Sequence, residues 1–263
     1  MRKIIACAVL LGLMSSFANA QQQELQICFE NLSEDDGFFL TPLWVGLHDG
    51  TFDLFNVGAS ASPGLEELAE TGSAATLNSE FAAPGRLQSV ATDPAGFGSQ
   101  PGQPPVIDPG NTGVANITVM NPLAYRYFSF ASMLIPSNDA FIGNGNPMGF
   151  ELFDAAGNFN GPLTINITSG FIFDAGTELN DGLGAAFSAN GGIATDTMNP
   201  VTQGPDLSNF FGTNTAAGTT IGSGPASPLA RITVKLVTVP EPASFSLLGI
   251  AGMGLLGLRR RRR

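Results

Sequence analysis

Four short stretches of this chain alternate apolar and polar residues with a period of two, and that alternation restricts the fold more than any other feature. Leu25, Ile27 and Phe29 alternate with Gln26, Cys28 and Glu30, and Ala115, Ile117 and Val119 with Asn116 and Thr118. Leu163, Ile165 and Ile167 alternate with Thr164, Asn166 and Thr168, and Ile232, Val234 and Leu236 with Thr233 and Lys235. Successive side chains of a strand point to opposite faces, so each stretch reads as a strand with one face on a core and one in water. The run from Tyr125 to Ile135 carries apolar residues on both parities, as suits a central strand covered on both faces. Gly and Pro crowd the intervals, as in Pro101-Gly102-Gln103-Pro104-Pro105 and Asp108-Pro109-Gly110. The expected fold is all-β, an antiparallel β-sandwich with long Gly/Pro-rich loops. One helical piece is expected, opened by Pro63-Gly64, with Leu65 and Leu68 on one face and Gly72 at its end. Residues from about Gly182 to Ala226 read as long loops with room for a strand.

The two ends carry addresses rather than structure. Arg2 and Lys3 precede an apolar run from Ile4 to Met14, and Ala18-Asn19-Ala20 forms a small-x-small cleavage site, so residues 1–20 read as a signal peptide. The apolar run is too short to span a bilayer, and Cys7 sits too early in it to accept a lipid. At the other end, Val239-Pro240-Glu241-Pro242 stands before an apolar stretch from Ala243 to Leu258 and the basic cluster Arg259 to Arg263. Such a segment makes a temporary membrane stop, held on the cytoplasmic side by its arginines. Residues 239–263 closely resemble the PEP-CTERM sorting signal of Gram-negative bacteria. That resemblance implies recognition by an exosortase, transient membrane insertion of the tail, and delivery to the cell surface or extracellular matrix.

Between the signals, residues 21–238 suit one domain. This body holds 21 acidic residues against Arg86, Arg126, Arg231 and Lys235, a net charge of −17. Such a surface repels nucleic acid and acidic polysaccharide and attracts cations. Once Cys7 leaves with the signal peptide, Cys28 has no internal partner, which rules out an intramolecular disulfide and a Cys-based metal cluster. Its neighbours Ile27 and Phe29 suggest a buried thiol of low reactivity.

The body also resembles a known family. Ile27 to Leu32 (I-C-F-E-N-L), Thr41-Pro42, His48-Asp49, Ala61 to Glu66 (A-S-P-G-L-E), Ala69-Glu70-Thr71-Gly72, Phe130 to Gly143 (F-A-S-M-L-I-P-S-N-D-A-F-I-G) and Phe173 to Glu178 (F-D-A-G-T-E) occur in that order. They resemble the spondin amino-terminal domain of F-spondin, mindin and many bacterial exported proteins, over roughly Glu24 to Lys235. The resemblance implies a C2-like, jelly-roll-like sandwich with a calcium ion held by loops at one end. It implies matrix or adhesion roles rather than catalysis, and it places Asp139, Asp174 and Glu178 at the metal-ligand positions.

The residues support such a site in their own right. Calcium takes six to eight oxygens, several of them from carboxylates. Asp139 follows a buried strand, Asp174 ends another, and Gly176 allows a bend that turns Glu178 back toward the same ion. Asp181 is a further candidate. Set against this, Asp near Pro and Gly commonly only caps turns. Asp35-Asp36-Gly37 lacks the spacing and closing Glu of an EF-hand and reads as an exposed turn.

Other chemistries find less support. His48 is the sole histidine, no G-x-S-x-G accompanies it, and it reads as packing or hydrogen bonding in a loop beside Asp49. Glu66 and Glu67 point to different helix faces. Gly143-Asn144-Gly145 is a turn without the Lys of a phosphate loop. Trp44 with Phe38-Phe39 is either a sugar-stacking patch or core. The expected function is a non-enzymatic, calcium-binding surface or matrix module that engages an extracellular polysaccharide or surface protein. Its rivals are a carboxylate-based enzyme acting on exopolysaccharide and a passive structural biofilm component.

Overall fold

The computed structural model describes residues 22–94, 105–222 and 224–237. The signal peptide and the sorting tail lie outside the described residues. Among the described residues, eleven strands and two α-helices follow one another as β1 (Gln23–Asn31), β2 (Phe39–Leu40), β3 (Leu43–His48), α1 (Pro63–Thr71), α2 (Ala75–Phe81), β4 (Leu87–Ala91), β5 (Thr112–Val119), β6 (Tyr127–Ile135), β7 (Ala140–Gly143), β8 (Leu163–Ile167), β9 (Ile172–Asp174), β10 (Thr202–Gln203) and β11 (Ala230–Val237).

The four alternating stretches assemble into one antiparallel sheet in the order β5-β1-β11-β8. Leu25, Ile27, Phe29, Ala115, Ile117, Val119, Ile165, Ile167, Ile232 and Val234 are buried in one core. Their alternation thus has the predicted meaning, with the polar parity turned outward. Cys28 lies on that outward parity and is half-exposed, which corrects the buried thiol expected from its neighbours. The physical reason is the strand period itself: inward-facing residues at i−1 and i+1 place residue i on the opposite face.

The second sheet runs β10-β9-β7-β6-β3-β4, with β2 added alongside β6. Its central strands are covered twice. Leu43, Val45, Leu47, Phe128, Phe130, Leu134, Ala140 and Ile142 face the first sheet. Trp44, Ala131, Phe141 and Phe173 face the opposite way, onto Leu65, Leu68, Leu77 and Phe81 of the helix pair. The molecule is therefore a sandwich with a third, helical layer, and this layer explains why β6 is apolar on both parities. Gly46 lets that layer approach, since a Cβ there would stand 2.8 Å from the Phe81 ring.

Helix α1 has the expected bounds. Ser62 Oγ accepts the Leu65 N–H at 3.2 Å, and Gly72 closes the helix at φ 74°. Helix α2 was not expected, since only Leu77 and Phe81 mark its buried face. The two helices cap each other through their acids. Glu80 accepts the Gly64 N–H at 2.7 Å, while Glu67 accepts the Thr76 N–H at 2.9 Å. Glu67 is thus a cap for the neighbouring helix.

Trp44 and Phe38 have no solvent exposure and Phe39 very little, so they are core and form no sugar-stacking patch. The Trp44 indole N–H is satisfied by Asn78 Oδ1 at 2.9 Å. His48 ends strand β3 rather than lying in a loop, and it too is fully buried. Asp35 and Asp36 are exposed in a turn, as read.

The strand directions fix where the two ends of the body lie. β1 starts and β11 ends together, with Glu24 opposite Val237, and Gln23 pairs with Val119. The short connection after Val119 starts β6 at this same end. At the other end, Asn31 Nδ2 donates to Phe38 O and Ile107 O, and Phe39 pairs with Ile135. The loop after Ile135, which carries Asp139, is therefore at the pole opposite Gln23 and Val237.

Candidate metal centre

Two loops at that distal pole meet through a buried carboxylate. Asp139 lies between β6 and β7 with no solvent exposure. The Ser137 hydroxyl, bonded to Leu134 O, shapes its turn and accepts the Ala140 N–H at 3.1 Å. Asp174 ends β9 opposite Ala140, and Ala175 N–H donates to Asp139 O at 3.1 Å. Beyond Asp174 the chain must reverse at Gly176, with φ 75°, where a Cβ would stand 2.4 Å from Asn199 O. Only glycine fits that turn.

The reversal aims the next backbone amides at Asp139. Its Oδ2 accepts the N–H groups of Thr177 at 2.8 Å and Glu178 at 3.1 Å. Its Oδ1 accepts the Asn180 side-chain amide at 2.7 Å, and the same nitrogen donates to Asp174 Oδ2 at 2.9 Å. Asp174 Oδ1 accepts the Gly176 N–H at 2.7 Å. Asn138 ties the outer loop down, donating to Glu178 Oε2 at 3.3 Å and Leu183 O at 2.9 Å and accepting the Gly182 N–H at 3.2 Å.

Negative charge accumulates here. Burial pushes the Glu178 carboxyl up to about 7, and Glu70, Asp139 and Asp196 repel its charge further, against the stabilising Asn138 amide. Asp174 is raised by burial and by Asp139. Glu70 of α1 is raised chiefly by burial, with Glu66, Asp139 and Asp196 adding to it.

The structure thus brings Asp139 and Asp174 onto one amide, while the Glu178 carboxylate does not share it and is bonded to Asn138 instead. Asp181 is spent on its own turn, accepting the Leu183 N–H at 2.9 Å. Asn138, Asn180, Glu70 and Asp196 join the site from outside the sequence reading. The first two lie within two residues of a candidate ligand, and that proximity was their only signal. Among the described residues, no three His, Cys, Asp or Glu side chains close around a common point as in a preformed metal cage. The donor chemistry nevertheless fits a hard cation, being carboxylates and amide oxygens without nitrogen or sulfur ligands.

Around the acids runs an irregular ribbon. Leu179 N–H bonds Thr195 O at 2.9 Å, Glu178 pairs with Asp196, and Gly184 N–H bonds Gly191 O at 2.9 Å. It displays Leu179, Leu183, Ile193 and, just beyond, Met198, with Ile193 at 87% and Met198 at 99% exposure. Elsewhere, a cavity of about 520 Å³ beside the helices is lined by Thr41, Asn78, Val106, Met133 and Phe187 among others, and none of the described residues lining it is ionisable.

His48 is a structural group. Gly50 N–H donates to its Nδ1 at 3.0 Å, so Nε2 carries the proton toward Ser129 Oγ at 3.0 Å. Burial, with Arg86 nearby, lowers its pKa to about 4.

Comparison with known families agrees with this architecture. The Spondin_N family model matches residues 39–215, and the PEP-CTERM protein-sorting motif matches residues 238–263. The second match implies export, cell-surface or extracellular placement, and processing by an exosortase. No curated protein matches the sequence.

Proposed function

We propose that this chain, which belongs to the Spondin_N family, is an exported, non-catalytic interaction module whose distal pole is organised by calcium held by Asp139, Asp174 and Glu178. The observation that carries this reading is the convergence of Asp139 and Asp174 on one amide nitrogen, with the Glu178 carboxylate bonded to Asn138, the residue before Asp139. Two carboxylates so placed repel each other, and a divalent cation relieves that repulsion. Bound there, calcium would supply charge neutralisation and tie the 177–184 loop to the β6–β7 turn.

Several features favour display over catalysis. The pole lies away from both ends of the body, the ends to which the sorting segments attach. The exposed aliphatics on its ribbon offer contact surface. The sole histidine is buried and hydrogen-bonded, and the cavity beside the helices offers no acid or base. An acidic body disfavours nucleic acid and polyanions, so the expected partner is an extracellular polysaccharide of low charge or a surface protein.

The test is binding of the exported protein to the producing cell's own exopolysaccharide and surface fraction, with calcium and with chelator. Calcium-dependent retention, lost in Asp174→Asn, supports the reading. Release of new reducing ends from the glycan would replace it with an enzymatic function, and absence of retention under both conditions would leave a structural component of the matrix.

A further inference from the structure

Asn180 occupies an unusual position at this centre. One side-chain nitrogen serves two carboxylates at once, Asp139 Oδ1 at 2.7 Å and Asp174 Oδ2 at 2.9 Å. Its other end is held, since Asn180 Oδ1 accepts the Asn138 backbone N–H at 3.2 Å. Asn209 Nδ2 donates to the Asn180 carbonyl at 2.9 Å and fixes the backbone beneath. The amide hydrogens therefore point at the place between two anions that a cation takes. An amide carries only partial positive charge there, whereas calcium brings two full charges and demands oxygen ligands at roughly 2.3–2.6 Å. A nitrogen donor cannot remain between those oxygens once calcium sits there, and the same side chain also carries a carbonyl oxygen of the kind calcium binds.

We propose that Asn180 is both the placeholder and a further ligand of this centre. Its amide N–H groups bridge Asp139 and Asp174 until a cation arrives, and its Oδ1 then enters the ligand shell, giving up the Asn138 N–H. The proposal rests on the calcium reading above and adds to it a residue that neither the sequence pattern nor the family match assigns. It also gives the centre a reason for selectivity. A monovalent ion gains too little to displace a doubly donating amide, whereas calcium gains two carboxylates and a carbonyl together.

The experiment uses the full-length protein and its Asn180→Ala and Asn180→Asp variants. Calcium affinity is measured by calorimetry, and inner-sphere water is counted from terbium luminescence lifetimes in H2O and D2O. Asn180→Ala is expected to bind calcium about tenfold more weakly and to gain one terbium-bound water. Asn180→Asp keeps an oxygen ligand and adds charge, so it should bind more tightly than wild type with an unchanged water count. In calcium-free buffer both variants should melt below wild type, because neither offers the bridging N–H groups. If Asn180→Asp binds more weakly than wild type, or if Asn180→Ala shows wild-type affinity and water count, Asn180 is a hydrogen-bond donor only and the proposal fails. A wild-type protein that takes up neither ion overturns the calcium reading itself.

Discussion

The backbone N–H of Glu178 donates to Oδ2 of Asp139 at 3.1 Å, joining residues 39 positions apart in the chain. This bond, with its neighbour from Thr177 at 2.8 Å, makes Asp139 the anchor on which the Gly176 turn is folded. Its carboxylate is therefore structural as well as a candidate ligand, and the consequences of changing it differ from those of changing Asp174.

Asp139→Asn should destabilise the protein by about 1–3 kcal/mol even in chelator, because an amide donor then faces existing donors in a buried site. Asp174→Asn relieves repulsion from Asp139 but turns an amide N–H toward the Gly176 or Asn180 donor, so in chelator it should destabilise the protein less than Asp139→Asn does. Both should lose most of the calcium-dependent gain, which is about 2.7 kcal/mol at a hundredfold excess over Kd. Thermal melts in low-millimolar calcium and about 0.15 M monovalent salt separate a specific site from diffuse screening of the acidic body. A full calcium response in both variants would place the site elsewhere.

The raised carboxyls predict an inverted pH response. Glu178 is shifted from 4.5 to about 7, so between those values the folded protein holds a proton that the unfolded chain has released. Stability in calcium-free buffer is then greatest below about pH 4.5 as far as this group is concerned, and is lost as pH rises through about 7. Calcium affinity runs the other way and strengthens over the same interval, because binding requires the ionised form. Glu178→Gln should flatten the calcium-free slope. Melting temperatures at half-unit steps from pH 5 to 8 decide it.

His48 contributes the opposite slope. Its pKa is lowered from 6.5 to about 4 because the charged form is buried and Arg86 lies nearby. Stability from this group is complete above about 6.5 and is lost as pH falls toward 4, with about 3 kcal/mol at stake. As the sole histidine it gives an unambiguous NMR signal. That signal should not titrate above pH 5 in the folded protein, and a midpoint near 6.5 would show the ring to be solvated.

Cys28 should react with a thiol reagent in the native state, since it stands on the outward face beside Gln26, whose Oε1 is 3.8 Å from its sulfur. Cys28→Ser should change stability by no more than about 0.5 kcal/mol. Labelling that waits for unfolding would show the face to be covered.

The sorting segments predict a processed product. Material recovered outside the cell should begin near Gln21 and lack the stretch from about Ala243 onward. Mass spectra that retain Arg259 to Arg263 in the secreted protein would contradict exosortase processing.

The alternating strands, the Pro63–Gly72 helix and the doubly apolar β6 were legible in the sequence because each is a local pattern whose period is set by backbone geometry. The outward position of Cys28 follows from the same parity, which outweighs the apolar character of its neighbours. Asp139, Asp174 and Glu178 are candidates because the resemblance places them at ligand positions, with their location at strand ends and beside a turning glycine in support. Tertiary structure alone decided the rest. Helix α1 covers the second face of β6, but the cover over Trp44 of β3 comes from Phe81 of α2, and α2 has too few buried residues to announce itself. Helix α2 is held by Glu67 and by the space above Gly46, both supplied from elsewhere in the chain. That Asn180 joins Asp139 to Asp174 was likewise beyond the sequence. Nothing local distinguishes an amide that caps its own turn from one that bridges two carboxylates, and only the approach of β7 and β9 brings those two acids to a single nitrogen.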